Sequence, residues 1–292
     1  MILTLMGDLN VEFSTTLENV FSSLDHDCLT YQAIKTSVGG TAANLAVAAK
    51  KFFSEVNVIG RVGEDALGEQ IRRLFTDKRV SLLCSPLPGG TTGISLYIRD
   101  GAPIQNHGIR LLIIDRGANH LIDITEIERN RAVISGSNAL FVDGYCFMNE
   151  PRRSAADHAL DIARDAGVLV AFDLVPHDAY RVFTLQEASR WLKKADMIIT
   201  EVRTIRRLLG LESDDEVTDL ELVDETFRIL KNMLGEKFFN LRFGNGNIDR
   251  SMLFRPGKAS ELRWNHYVNT DEPRGFGDRL SAAELAEYLD AG

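Results

Sequence analysis

A carboxylate that follows closely spaced glycines at the start of a helix can do two jobs at once. Arg274-Gly275-Phe276-Gly277-Asp278-Arg279 has that pattern, and apolar Leu280, Ala283, Ala286 and Leu289 then recur at helical spacing. The bare N–H groups of a helix's first turn attract anions. An acid in the same turn can take a proton from a hydroxyl. Phosphoryl transfer needs both, because positioning and charge stabilisation supply most of its catalysis. On its own the Gly-x-Gly-Asp pattern is weak, and Asp278 as only a helix cap is the plainer reading.

Three further segments have chemical potential. Gly7-Asp8-Leu9-Asn10 directly follows the apolar run Ile2–Met6. In open α/β sheets, ligands bind at the carboxyl ends of strands, so Asp8 and Asn10 are candidates to hydrogen-bond substrate hydroxyls. A polar turn is the plainer reading. In Gly39-Gly40-Thr41-Ala42-Ala43-Asn44, the glycines let backbone approach a ligand closely. Thr41 is the expected N-cap, and Asn44 is expected to face outward from the first turn. The plainer alternative is a glycine turn before a small-residue core helix. Gly60-Arg61-Val62-Gly63-Glu64-Asp65-Ala66-Leu67-Gly68 lacks the glycine spacing of a dinucleotide fingerprint, and its acids suit a helix N-terminus.

Positioning these segments requires a regular frame. Short apolar runs at Ile2–Met6, Val56–Ile59, Ile94–Ile98, Leu111–Ile114, Ala139–Val142, Val168–Phe172, Met197–Ile199 and Phe238–Leu241 read as strands. Helical patterns lie between most of them, at Glu64–Asp77, Pro151–Asp165, Glu216–Leu234 and Asp278–Leu289. That alternation predicts a parallel sheet covered on both faces. Leu29–Ser37 and Thr91–Ile114 break it and predict an antiparallel flap with a turn at Gly101–Pro103. Ser251–Trp264 predicts a hairpin turning at Pro256-Gly257.

Bulk properties narrow the function. With 292 residues and a formal net charge of -9, the chain has no global field to attract nucleic acid. The cysteines Cys28, Cys84 and Cys146 are widely spaced and suit a reducing cytosol better than a disulfide framework. No apolar run reaches the length of a membrane span, and the N-terminus lacks signal-peptide character. A cytoplasmic protein without nucleic-acid or membrane partners is expected. The phosphate loop with its terminal Lys-Ser/Thr, the protein-kinase loop set, His-Glu-x-x-His and Gly-x-Ser-x-Gly are all absent.

Taken in order, the motifs resemble the PfkB (ribokinase-like) family of carbohydrate and nucleoside kinases over nearly the whole chain. Gly39 to Ala46 is close to the family's first signature, and Gly60 to Gly68 matches the segment after it. Gly117-Ala118-Asn119 and Phe141-Val142-Asp143-Gly144-Tyr145 follow in the expected places. Arg242-Phe243-Gly244-Asn245-Gly246 stands where the family has Thr-Leu-Gly-x-x-Gly, and Gly275-Phe276-Gly277-Asp278 stands where it has Gly-Ala-Gly-Asp.

The resemblance implies one α/β domain over 1–292, a three-layer α/β/α sandwich with a central, mostly parallel sheet. A small β lid would come from segments about 29–37 and 91–114. It implies ATP and Mg2+, with K+ as a candidate monovalent ion, and an acceptor that is a sugar, sugar acid or nucleoside. Asp278 would be the catalytic base, and the amides of Gly275, Phe276 and Gly277 the anion hole. Asp8, Asn10, Gly39, Gly40 and Asn44 would line the acceptor pocket. Gly244 and Gly246 would border the nucleotide, and Arg274 would add a phosphate contact. Glu201 and Thr204 stand where the family has Asn-x-x-Glu, which makes Glu201 the candidate metal-facing acid. Relatives continue well past the catalytic helix, whereas this sequence stops at Gly292, so the usual tail is expected to be absent. A homodimer through the lid is expected. The competing expectation is a catalytically weak relative that binds a sugar or nucleoside without phosphorylating it.

Overall fold

The structure, a computed structural model, describes residues 1–18, 21, 33–99, 110–174, 178–211, 216–217, 219–245, 248–265 and 275–290. The strands are β1 (Ile2–Met6), β2 (Asn10–Thr16), β3 (Lys35–Gly39), β4 (Glu55–Ile59), β5 (Ser81–Leu82), β6 (Gly93–Arg99), β7 (Arg110–Asp115), β8 (Ala139–Asp143), β9 (Leu169–Leu174), β10 (Met197–Glu201), β11 (Glu216–Val217), β12 (Phe238–Asn245), β13 (Arg250–Phe254) and β14 (Glu261–Trp264). The helices are α1 (Thr41–Ala49), α2 (Ala66–Lys78), α3 (Ile124–Arg129), α4 (Arg131–Ser135), α5 (Arg152–Asp165), α6 (Leu185–Leu192), α7 (Val202–Leu208), α8 (Leu220–Leu234) and α9 (Phe276–Asp290).

The main sheet runs β14-β13-β12-β10-β9-β8-β1-β4-β5, with β11 paired to β12. From β12 to β5 every pairing along this path is parallel, and β13 and β14 close one edge as the expected antiparallel hairpin. All five residues of β8 are buried, as two-sided coverage demands. Two apolar cores flank the sheet. One gathers Leu3, Leu5, Val58 and Phe141 with Ala46 of α1, Phe75 of α2 and Leu285 of α9. The other gathers Met6, Leu140, Val142 and Phe172 with side chains of α5, α6, α7 and α8. This is the expected three-layer arrangement. Alanines at 42, 43, 46 and 49 keep α1 thin, so α9 packs directly against it. Among the described residues, no helix is long and apolar enough to cross a membrane.

The flap departs from expectation. It is a four-stranded mixed sheet in the order β3-β2-β6-β7, and β2 lies outside every strand expected from the sequence. Polar Glu12, Ser14, Thr15 and Thr16 hide β2, because only one of its faces is apolar. It pairs antiparallel with β3 and parallel with β6. Residues 29–32 and 100–109 of the expected flap, including the Gly101–Pro103 turn, lie outside the described residues, as does Cys28. Helix α8 starts at Leu220, after an Asp219 cap, instead of at Glu216, because Glu216 and Val217 pair with Asn245 and Gly244.

Candidate active site

Parallel strands bring their carboxyl ends to one edge, and the residues there follow from the register. Asp143 of β8 sits opposite Asp173 of β9, and Glu201 of β10 opposite Arg242 of β12. Asp8 follows β1. The chain runs outward from β1 to β4 and β5, then returns to β8 on the other side. The switch point, where such sheets bind ligands, is therefore between β1 and β8.

Helix α9 aims its first turn at this edge. Gly275 precedes it with φ +67, and a Cβ there would lie 2.9 Å from Asn44 Cγ. Only glycine fits both demands. Asn44 Nδ2 donates to Asp278 Oδ2 at 2.9 Å, which ties α1 to α9. The expected outward direction of Asn44 is therefore toward Asp278. Burial pushes the Asp278 carboxyl up to about 7; the Asn44 hydrogen bond and the Arg242 charge act in the opposite direction. Burial likewise lifts Asp173 to about 7, against the nearby Arg242. Asp143 also rises, through burial and then the neighbouring Asp8. Three carboxyls with weakened acidity thus gather at one end of the sheet, a clustering that makes this edge the candidate site.

The N-cap of α1 is Gly40 and not Thr41. Gly40 has φ +92, and a Cβ would lie 2.3 Å from the Asp8 carbonyl oxygen, so the two glycine-bearing turns touch through backbone. Gly39 ends β3 directly opposite Asn10. The Asn10 side chain is buried and its Oδ1 has no hydrogen-bond partner. Asp8 is buried too, and it forms an ion pair with the fully buried Arg152 at the start of α5. Its carboxylate serves first as counter-ion to that arginine.

Sequence reasoning gave no site role to several residues of this region, although Asn119 and Arg242 stand in motifs it quoted. Asn119 clamps the Gly7–Asn10 turn: its Nδ2 donates to the Leu9 carbonyl at 2.7 Å, and the Leu9 amide donates to its Oδ1 at 3.2 Å. Glu12 of β2 lines a cavity of about 270 Å³ with Gly39, Asn44 and Arg279. Hiding β2 hid Glu12 as well. Arg242, read only as part of a glycine motif, is buried under the first turn of α9.

The remaining candidates are more dispersed. Gly244 lies in β12 and pairs with Val217. Gly246 and Arg274 lie outside the described residues. Phe276 is the first residue of α9. Glu201 is at the correct sheet edge, but Arg203 Nε contacts its Oε2 at 2.6 Å. Thr204 is buried in α7. No group of three or more metal-ligating side chains occurs among the described residues. Magnesium keeps most of its water and binds with phosphates through one or two carboxylates, so this edge still suits a nucleotide-borne ion.

Known proteins resemble this chain in sequence and in fold. A profile described as pfkB family carbohydrate kinase matches residues 4–234. The 5-dehydro-2-deoxygluconokinase 2 of Bacillus cereus is 30% identical over 194 residues, covering 62% of this chain and 56% of that protein. A 5-dehydro-2-deoxygluconokinase of Bacillus anthracis matches to the same extent. The match thus spans little more than half the length of these curated relatives. Among solved structures, adenosine kinase from Sinorhizobium meliloti superposes with a TM-score of 0.78 at 17% identity, covering 99% of this chain and 88% of that one. The Arabidopsis thaliana ribokinase complexed with ribose and ATP gives 0.70 at 18%, covering 99% and 86%. The solved structures establish a ribokinase-like fold, and the profile covers most of the sequence: the chain belongs to the pfkB family of carbohydrate kinases.

Proposed function

We propose that this chain transfers the γ-phosphoryl group of ATP to a hydroxyl of a sugar, sugar acid or nucleoside, with Asp278 as general base. The observation that carries this is a half-buried carboxyl in the first turn of a 15-residue helix, held by Asn44 and pushed up to about 7. A base poised near neutral pH accepts a hydroxyl proton efficiently.

Bound MgATP supplies the phosphoryl group, and its metal offsets phosphate charge. The chain's own residues do the rest. Asp278 accepts the acceptor's hydroxyl proton, while Asn44 keeps its carboxylate from rotating. The first turn of α9, at Phe276, Gly277 and Asp278, is assigned to the transferred anion, which a helix N-terminus favours. Gly275 allows the tight entry to that turn. Asn10, Glu12 and the Gly39-Gly40 backbone are assigned to the acceptor hydroxyls, with Asp8 behind them as the partner of Arg152. Gly244, Gly246 and Arg274 are assigned to the nucleotide side. Glu201 would have to exchange Arg203 for magnesium or its water shell.

Strand alternation supports a lid that also pairs two chains. On one face of the flap, Val11, Phe13, Leu96, Leu111 and Ile113 share the register; on the other lie Asn10, Glu12, Ser14 and Ser95. Leu112 and Ile114 on the second face are 45% and 37% exposed, and Leu96, Leu111 and Ile113 on the first are 38%, 44% and 50% exposed, the larger apolar face. A second copy is its proposed cover.

The test is magnesium- and ATP-dependent ADP release over a panel of pentoses, hexoses, sugar acids and nucleosides, with Asp278→Asn as control. Turnover with one acceptor class, lost in the folded variant, is the expected result. Acceptor binding without turnover by the wild type would favour the binding-only alternative.

A further inference from the structure

Arg242 is not used in the reading above, yet it is only 3% exposed, rare for an arginine. Its partners come from three directions. Nη1 donates to the Gly277 carbonyl at 3.1 Å. Nη2 donates to Ser281 Oγ at 3.0 Å and to Glu284 Oε2 at 2.8 Å. Asp173 Oδ2, at the end of β9, lies 4.0 Å from Nη1 and accepts from Ser281 Oγ at 3.1 Å. Asn240, two residues back on β12, donates to the same Glu284 oxygen. A single guanidinium thus joins β9 and β12 to the first three turns of α9.

We propose that Arg242 is a positioning residue for phosphoryl transfer: it fixes the Gly277–Asp278 peptide, and with it the aim of the Asp278 amide and carboxylate. This rests on reading Asp278 as the base. A trans peptide is planar, and its C=O and N–H point in opposite directions. Gripping the Gly277 carbonyl from the sheet side therefore aims the Asp278 N–H away from the sheet. A charged donor grips roughly twice as strongly as a neutral one. The second half of the role is electrostatic. Asp278 is faced by Asn44 of α1, Arg242 of β12, Asp143 of β8 and Asp173 of β9, with Arg279 beside it on its own helix. Burial and the two aspartates favour its protonated form. Arg242 opposes them from a position that water does not screen.

The test uses Arg242→Met, which keeps much of the stem volume, and Arg242→Lys, which keeps the charge without the planar fork. The double variant Arg242→Met with Glu284→Gln avoids leaving a buried, unpaired carboxylate. Asp278 is titrated by carboxyl carbon NMR, assigned by its loss in Asp278→Asn, and kcat and acceptor KM are measured in parallel. In the Met variants the Asp278 midpoint is expected to rise by about one pH unit. Their kcat at pH 8 should fall at least about tenfold while KM changes less than about threefold. Lys should restore the midpoint but only part of kcat. An unchanged midpoint in a folded Met variant overturns the proposal, and so does a raised KM at unchanged kcat. Should the Met variants unfold, wild-type kcat in Arg242→Lys would still overturn it. If the wild type transfers no phosphoryl group, the functional reading fails separately, and the NMR titration decides the role of Arg242 by itself.

Discussion

The burial that raises the Asp278 carboxyl works against the fold. Its carboxyl rises to about 7 in the folded chain and titrates at roughly 3.9 when unfolded. The folded value is the higher one, so from about pH 4 upward the unfolded state releases the proton first, and stability falls as pH climbs through 7. Asp278→Asn removes that charge. Its Tm should exceed the wild type's by a few degrees at pH 8 and by much less at pH 4, as read by calorimetry. A gain independent of pH would contradict this. Gly275→Ala should cost about 1–3 kcal/mol in denaturant unfolding, because φ +67 strains alanine and the new Cβ meets Asn44. Asp278, Asn44 and the glycines were legible in the sequence because their spacing is local. Arg242 was not, since its value comes from Gly277, Ser281 and Glu284, far along the chain. Nor did the sequence reveal that Asp8 pairs with Arg152 across the fold.

The two kinds of element differ in how clearly they read. Strands of the main sheet are nearly uniform apolar runs, and β1, β4, β8, β9, β10 and β12 were all legible. They differ from expectation mainly in their ends, where Asp143, Asp173 and Glu201 extend the strands into the site. The flap is two-faced, so its central strand β2 passed for a polar loop. Only pairing with β3 and β6 reveals it. That two-faced character carries a prediction. Leu96→Lys combined with Ile113→Lys places charge on the outer face, where the two residues are register partners. Light scattering should find the wild type dimeric and the double variant monomeric, with unchanged far-UV circular dichroism. A monomeric wild type would remove the dimer from the account.

At the scale of the whole molecule, a net charge of -9 means that the proposed nucleotide capture must rely on local donors at one sheet edge. The parallel topology supplies that edge, and α1 and α9 meet over it through Asn44 and Asp278. The fold class was legible because strand and helix alternate so regularly. The acceptor was not, because the residues proposed to meet it, Glu12 and Asn10, come together with the flap only in the tertiary structure. The central claim is that this edge moves phosphate onto a hydroxyl with Asp278 as base. The most direct measurement is phosphorus NMR of MgATP incubated at pH 8 with the acceptor found by the panel, using wild type and folded Asp278→Asn. The account predicts a new phosphomonoester resonance that grows in step with ADP for the wild type and is absent for the variant. ADP formed without a phosphomonoester, or equal product from the variant, would contradict it.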